Sequence, residues 1–249
     1  MKGGVPRDRF FIEGVHAVSD RVALADDDAR KIVSVLRKQS GQRVQLVDSG
    51  GSSYAATLHI EGKRVHAVLD ETLERGGAEA GARIVIAQAI PKGQKMDLIV
   101  EKATELGAAA IVPLRSARVE GEITRENKIE RWQRIAKSAA QQSGRRSIPT
   151  IEPVAGWDAL IATFGQYDRV YVPWELADPV PLRECFETEA RTAQSLLVIV
   201  GPEGGFSADE IARAQRAGAQ PISLGTRILR TETAALVVLA ALLYARGEI

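Results

Sequence analysis

Leu196-Leu-Val-Ile-Val200 runs directly into Gly201-Pro-Glu-Gly-Gly205, and Leu224-Gly-Thr-Arg-Ile-Leu-Arg-Thr-Glu-Thr-Ala-Ala235 follows one helix later. A buried strand meets a loop with three glycines in five residues, and that loop opens a helix. A second strand then ends in another glycine-containing loop, which opens the last helix. Two such loops side by side, at the C-terminal ends of parallel strands, make a ligand cleft in α/β proteins. Neither has the G-x-x-x-x-G-K-S/T wording of a triphosphate loop, and no G-x-G-x-x-G follows the first strand for a dinucleotide. A different ligand is expected.

The glycines of Gly201–Gly205 allow positive φ and close approach of a ligand to the backbone. Ser207-Ala-Asp-Glu210 forms a capping box that fixes the next helix start and aims its free N–H groups at the loop. A tight strand-to-helix turn without a ligand is the competing reading. In the second loop, Arg227, Arg230 and Glu232 crowd a helix start that leads into an apolar run. Such charges are costly beside a core unless they are paired or touch a ligand. Arg230 can hold a carboxylate or phosphate, and Glu232 can pair with it or accept from a ligand amine or hydroxyl. The alternative is an exposed loop with one Arg–Glu pair. Thr233–Ala245 is apolar nearly all round, which suggests a helix packed between the sheet and a second subunit, with a core helix of a monomer as the alternative.

Outward from these loops, residues from Arg83 alternate strand and helix. Strands are expected at Ile84–Ala89, Ala110–Leu114, Arg169–Pro173, Leu196–Val200 and Pro221–Leu224. Helices are expected at Gln94–Leu106, Asn127–Gln142, Trp157–Phe164, around Leu182–Thr192, at 208–217 and at 232–246. Gly107 reads as the C′ residue that ends the first of these helices. Repeated βα units of this kind predict a mostly parallel sheet covered on both faces.

Residues 1–74 read as a β-rich domain with one helix. Asp26–Arg37 starts with acids and ends with bases, and carries a buried stripe of Ile32, Val33, Val35 and Leu36. Val44–Asp48, Ser53–Ile60 and Arg64–Leu69 read as strands joined by glycine turns, which suggests a small barrel. The glycine-rich stretch Glu71–Ala82 has linker composition, and the linker is set at 75–82 with the second domain at 83–249.

The 249 residues are 45% hydrophobic and 26% charged, which is ordinary for a soluble globular protein. A net charge of +1 argues against a protein that coats nucleic acid by bulk charge, and leaves room for a local basic patch. Such a patch is offered by Arg125, Lys128, Arg131, Arg134, Lys137, Arg145 and Arg146, against Glu126 and Glu130; a solvated helix face is the alternative for any single one. Arg7-Asp-Arg9-Phe-Phe-Ile12 sets bases beside aromatics, which can clamp a single-stranded base. Cys185 is the single cysteine, and His16, His59 and His66 all lie outside the glycine-rich region, so no metal centre is expected. The N-terminus lacks an apolar run of signal-peptide length, and Ala234–Ala245 is too short to span a bilayer. A cytoplasmic protein without a membrane segment is expected.

Gly201–Ile211 together with Leu224–Ala234 resembles the RsmE-type 16S ribosomal RNA uracil-N3 methyltransferases of the SPOUT class. The resemblance covers nearly the whole chain, through Arg9-Phe-Phe, Val35-Leu-Arg37, Lys92-Gly93, Lys102-Ala-Thr-Glu-Leu-Gly107 and Arg131-Trp132 with Ala139–Arg145. It implies an α/β architecture with a C-terminal SPOUT domain, trefoil-knotted around a mostly parallel sheet, and an N-terminal PUA-like β-barrel that binds RNA. It further implies S-adenosyl-L-methionine as cofactor, a homodimer, and 16S ribosomal RNA or the assembled small subunit as partner. Carried over by residue, the cofactor pocket would use Gly201, Glu203, Gly205, Leu224, Gly225, Ile228, Leu229 and Arg230. Thr231–Thr233 would close the loop, and Pro173, Trp174 and Glu175 would form a third wall. Arg230 and Glu232 (or Glu203) are the expected catalytic groups: one for charge on the uracil oxygens, the other for the N3 proton, which water can also take. Arg7, Arg9, Arg37, Arg131, Arg134, Arg145 and Arg146 are the expected RNA contacts. Departures from the family pattern, such as Thr226 for proline and Ser116-Ala-Arg118 for Ser-Glu-Arg, remove none of the residues named for the cofactor pocket. The competing functions are a SPOUT methyltransferase for another RNA such as transfer RNA, and a non-catalytic RNA-binding or ribosome-assembly factor of the same fold.

Overall fold

The computed structural model describes residues 6–77, 79, 81–118, 126–174 and 180–249. The chain forms two compact units: Met1–Ala80 with Ala140–Ser147, and Gly81–Ala139 with Ile148–Ile249.

The first unit contains β1 (Arg9–Phe11), β2 (Arg21–Ala23), α1 (Asp26–Arg30), β3 (Arg43–Val47), β4 (Ser53–Glu61) and β5 (Arg64–Glu74). Side chains two apart on β5 point inward, so Val65, Ala67 and Leu69 join Leu46, Leu58, Phe10 and Ile32 in one apolar core. The sheet order is β1-β3-β4-β5-β2, with β1 parallel to β3 and the other pairings antiparallel. It is therefore a mixed open sheet rather than the expected closed barrel. The two edge strands are only three residues long, and among the described residues they do not pair with each other.

Two local expectations change. β5 continues to Glu74, taking residues whose composition suggested a linker. The expected helix 26–37 is α-helical over Asp26–Arg30 and then passes into a π-helical turn over Lys31–Val35, with Leu36 N–H donating to Lys31 O at 2.9 Å. The wider turn rotates the face, so Ile32 stays buried while Val35 is 70% exposed instead of completing a stripe.

The segment 140–147 is held into this unit by polar contacts. Gln141 donates to Asp28 Oδ1 at 2.9 Å and accepts from Lys31 at 2.9 Å. Arg145 donates to Glu79 Oε2 at 2.6 Å, and the Arg146 and Ser147 N–H groups donate to Glu79 Oε1. Burial works against the charge on Glu79, yet Arg145 and these backbone donors hold its carboxyl below the ordinary range. A depressed carboxyl adds stability that is present above its unfolded value, about 4.3, and is lost as pH falls through the lower folded value. Glu79→Gln is expected to destabilise the protein near neutrality and to flatten the acid side of its melting temperature against pH. An unchanged acid slope would reject that role.

The second unit contains β6 (Arg83–Ala89), α2 (Lys95–Glu105), β7 (Ala110–Arg115), α3 (Glu126–Ser143, its last residues grouped with the first unit) and β8 (Thr150–Ile151). There follow β9 (Ala155–Gly156), α4 (Trp157–Ile161), β10 (Arg169–Pro173), β11 (Val180–Pro181) and α5 (Leu182–Thr188). The chain ends with β12 (Ser195–Val200), α6 (Ala208–Arg216), β13 (Gln220–Ser223) and α7 (Thr231–Arg246). Every strand pairing is parallel, in the order β11-β13-β10-β12-β6-β7-β8, with β9 also on β7.

The sheet is covered on both faces, and the alternation along its strands shows it. Ile84, Ile86, Leu196, Val198 and Val200 pack with α2, α3, α5 and α7, while Val85, Ala87, Leu197 and Ile199 pack with α4 and α6. That double burial is why these strands read as continuous apolar runs. Gly107 takes φ +83° just past α2 and so closes the helix as the C′ position requires.

Candidate active site

β10, β12 and β13 lie side by side, and their C-terminal ends open into the two glycine loops. Gly205 takes φ +64° and its N–H donates to Pro202 O at 2.9 Å. At Gly201 an added Cβ would stand 3.4 Å from Gly205 Cα and from the Phe206 ring, so the two ends of the loop lie within van der Waals reach of each other. Phe206 is buried against Trp157, with ring centroids 4.8 Å apart. The capping box is formed: Glu210 N–H donates to Ser207 Oγ at 3.2 Å, and Ser207 N–H to Glu210 Oε2 at 2.8 Å. Glu210 Oε1 also accepts from Ala117 N–H at 2.8 Å, and Arg118 donates to Gly204 O at 2.5 Å. The segment after β7 is thereby fastened to this loop.

The second loop has farther to go. β13 lies across β10 from β12, so residues 224–230 must pass the end of β10 before α7 begins. Thr231 marks the arrival: its hydroxyl donates to Gly201 O at 2.5 Å and accepts from Gln88 Nε2, on β6, at 2.8 Å. Gln88 is fully buried, and its Nε2 also donates to Ala89 O.

Between the loops is a cavity of about 350 Å³. Of the residues expected around a cofactor, Pro173 and Trp174 form one wall and Gly201, Glu203 and Gly205 another; Leu224, Gly225, Ile228, Leu229, Arg230 and Thr231 form the third. Thr233 is exposed and absent from the lining, because the helix that starts at Thr231 turns it away. Glu175, like Arg125, lies outside the described residues. The expectation omitted Lys95, Phe206, Ser223 and Arg227, which also line the cavity. Lys95 did carry a signal, since a cation in the first turn of a helix opposes the macrodipole.

The charges at this cavity are arranged around Lys95. Its Nζ is 2.6 Å from Glu203 Oε1 and 3.8 Å from Glu232 Oε2. Glu203 also accepts from Lys92 N–H at 3.2 Å. Burial pushes the Glu203 carboxyl up, but Lys95 and the backbone donors outweigh it and hold the carboxyl below its ordinary range. That makes Glu203 a poor proton acceptor. Glu232 is absent from the lining, and its buried Oε2, 3.8 Å from Lys95 Nζ, has no hydrogen-bond partner among the described residues. The expected catalytic pair therefore divides: Arg230 is on the wall and Glu232 is not. Arg230 has an exposed side chain with no hydrogen-bond or ion-pair partner among the described residues.

The cavity suits S-adenosyl-L-methionine. Its volume lies in the range for small ligands, apolar Leu224, Ile228, Leu229 and Ala234 can flank an adenine, and the glycine backbone offers polar groups. Trp174 adds a buried indole N–H that has no partner among the described residues, on a wall where a bound ligand can supply the acceptor.

The expected RNA contacts also divide. Arg7, Arg37, Arg131 and Arg134 are exposed, Arg37 at φ +52° and Arg131 paired with Asp97. Arg9 is turned inward instead, bonded to Gln45 and to the carbonyls of Gly144 and Arg145. Arg145 is 9% exposed and engaged with Glu79, and Arg146 donates to Arg75 O at 3.3 Å. These three hold the first unit together, which a reading of charge alone could not distinguish from RNA contact. Among the described residues no cluster of metal-ligating side chains occurs and no helix is long and apolar enough to cross a membrane.

Comparison with known proteins bears on this site. Residues 78–243 match the RNA methyltransferase domain family. A ribosomal RNA small subunit methyltransferase E of Bacillus subtilis is 30% identical over 95% of this chain and 96% of its own length. The methyltransferase of the same name from Neisseria gonorrhoeae, solved bound to S-adenosyl methionine, superposes with TM-score 0.84 at 30% identity over 95% of this chain and 97% of that one. A Legionella pneumophila protein solved with bound S-adenosylmethionine superposes with TM-score 0.86 at 29% identity, over 95% of this chain and 97% of that one.

Proposed function

The chain belongs to the RNA methyltransferase family, and from that membership we propose that it methylates N3 of a uridine in 16S ribosomal RNA with S-adenosylmethionine. The observation that carries the reading is the two-loop cavity after β12 and β13, with Arg230 on its wall. Bound there, the cofactor supplies an electrophilic methyl group on a sulfonium. Gly201, Gly205, Leu224, Gly225, Ile228 and Leu229 would hold it through backbone groups and apolar contact, and Trp174 would donate its indole N–H.

Arg230 stabilises the negative charge that develops on the uracil oxygens as N3 loses its proton. Glu232 acts from behind the wall, through Lys95. The base must first leave its stack, at a cost of roughly a few kcal/mol. The crossing of residues 224–230 past β10, latched by Thr231, supports a knotted arrangement of these loops. Exposed Arg7 and Arg37 of the first unit, a PUA-like module in this reading, and Arg131 and Arg134 on α3 contact RNA phosphates. A homodimer is supported by α7: Leu236, Val237 and Ala240 are only half-buried and Tyr244 is 77% exposed, an apolar face left over after the core is packed. The cytoplasm is the expected location.

The test offers labelled S-adenosylmethionine with free 16S RNA, assembled small subunits and bulk transfer RNA, followed by nucleoside analysis. N3-methyluridine in ribosomal RNA or subunits is the expected product. Transfer only to transfer RNA would move the substrate, and cofactor binding without transfer would leave a non-catalytic RNA-binding protein.

A further inference from the structure

We propose that Lys95 is a second catalytic cation of this site, taking one uracil oxygen while Arg230 takes the other; this rests on the methyl-transfer reading above. Three observations converge on Lys95. It is the first residue of α2, where the helix dipole disfavours a cation, so the position has no local stabilising reason. It lines the cavity. It is also held from two distant parts of the chain, by Glu203 from the loop after β12 and by Glu232 from the first turn of α7.

The acids themselves are poorly placed as bases. Glu203 accepts from both Lys95 and Lys92 N–H, and Glu232 is off the wall with its Oε2 buried. Both face Lys95, Glu203 as a hydrogen-bond acceptor and Glu232 at ion-pair distance. Arg227, the remaining cation on the wall, has no such anchor among the described residues.

The chemistry accounts for two cations. A uracil anion carries its charge on N3 and on the two flanking oxygens, O2 and O4. One donor at each oxygen favours loss of the N3 proton on both sides of the reacting atom, so no side-chain base is required. The proton passes to water, the N3 electron pair forms the new N–C bond, and the methyl–sulfur pair stays on sulfur.

The experiment compares the wild type with Lys95→Met and Lys95→Arg, using RNA with either uridine or 5-fluorouridine at the methylated position. Saturated single-turnover rates and cofactor affinity by calorimetry are both measured. Lys95→Met is expected to lower the saturated rate on the order of 10²-fold, the scale of one lost oxyanion donor. Cofactor affinity should change by no more than about fivefold, the scale of a partly exposed ion pair. Lys95→Arg should recover most of the rate. With 5-fluorouridine, whose N3 is already more acidic, the Lys95→Met defect should narrow by on the order of tenfold. A variant that loses cofactor affinity but keeps the saturated rate, or whose defect is the same on both bases, overturns the proposal. A wild type that binds cofactor and methylates neither RNA sinks the functional reading, and this inference with it.

Discussion

Arg230→Ala is expected to lower turnover by about 10²–10³-fold while cofactor affinity changes little, because removing one donor to a developing oxyanion has that scale of effect. The geometry isolates this contribution. Arg230 is the N-cap residue of α7, but its side chain makes no capping hydrogen bond, so truncation does not remove a cap. Its side chain is exposed on the cavity wall, so truncation leaves no cavity in the core. Stability should therefore stay within about 0.5 kcal/mol of wild type, as for other surface substitutions. Single-turnover kinetics at saturating cofactor, with calorimetric affinity alongside, make the check. Equal losses in rate and affinity would assign Arg230 to the cofactor instead of the base.

Thr231→Val should have the largest structural effect at the site. Valine keeps the shape but removes the hydroxyl that joins Gly201 O to Gln88 Nε2. An N–H of fully buried Gln88 and a carbonyl of the cofactor loop then lose their partner, at about 1–3 kcal/mol each. The sum, roughly 2–6 kcal/mol, corresponds to a fall of about 4–24 °C in melting temperature for a chain of this size. Cofactor affinity should fall as well, since Gly201 and Thr231 both line the cavity. Thr231→Ser keeps the hydroxyl and should behave much like the wild type. Thermal unfolding of the two variants decides the matter: a valine variant as stable as the serine one would mean that the latch contributes nothing.

Sequence pattern alone located most of the second unit. Val85 and Val198 fall in apolar runs because both faces of a parallel sheet are covered, and that burial is written into adjacent residues. The capping box at Ser207 and Glu210 was equally legible, since it spans one helical turn. The π turn at Lys31–Val35 was not, because the acids and bases that suggested a regular helix say nothing of a one-residue widening. Arg9, Arg145 and Arg146 show the same limit. A charged side chain that braces its own unit and one that faces RNA look alike until its partners are known.

What the amino-acid order determined by itself was local: which residues form strands, where glycine permits the loops, and which loops open helices. Those features depend on neighbours a few positions apart, and periodicity records them. Only the tertiary structure decided that the first sheet stays open, that Glu232 stands behind Lys95, and that Thr231 reaches Gln88 across 143 residues of chain. Such contacts are set by strand order and by the crossing of residues 224–230 past β10, and no period in the sequence encodes a partner that far away.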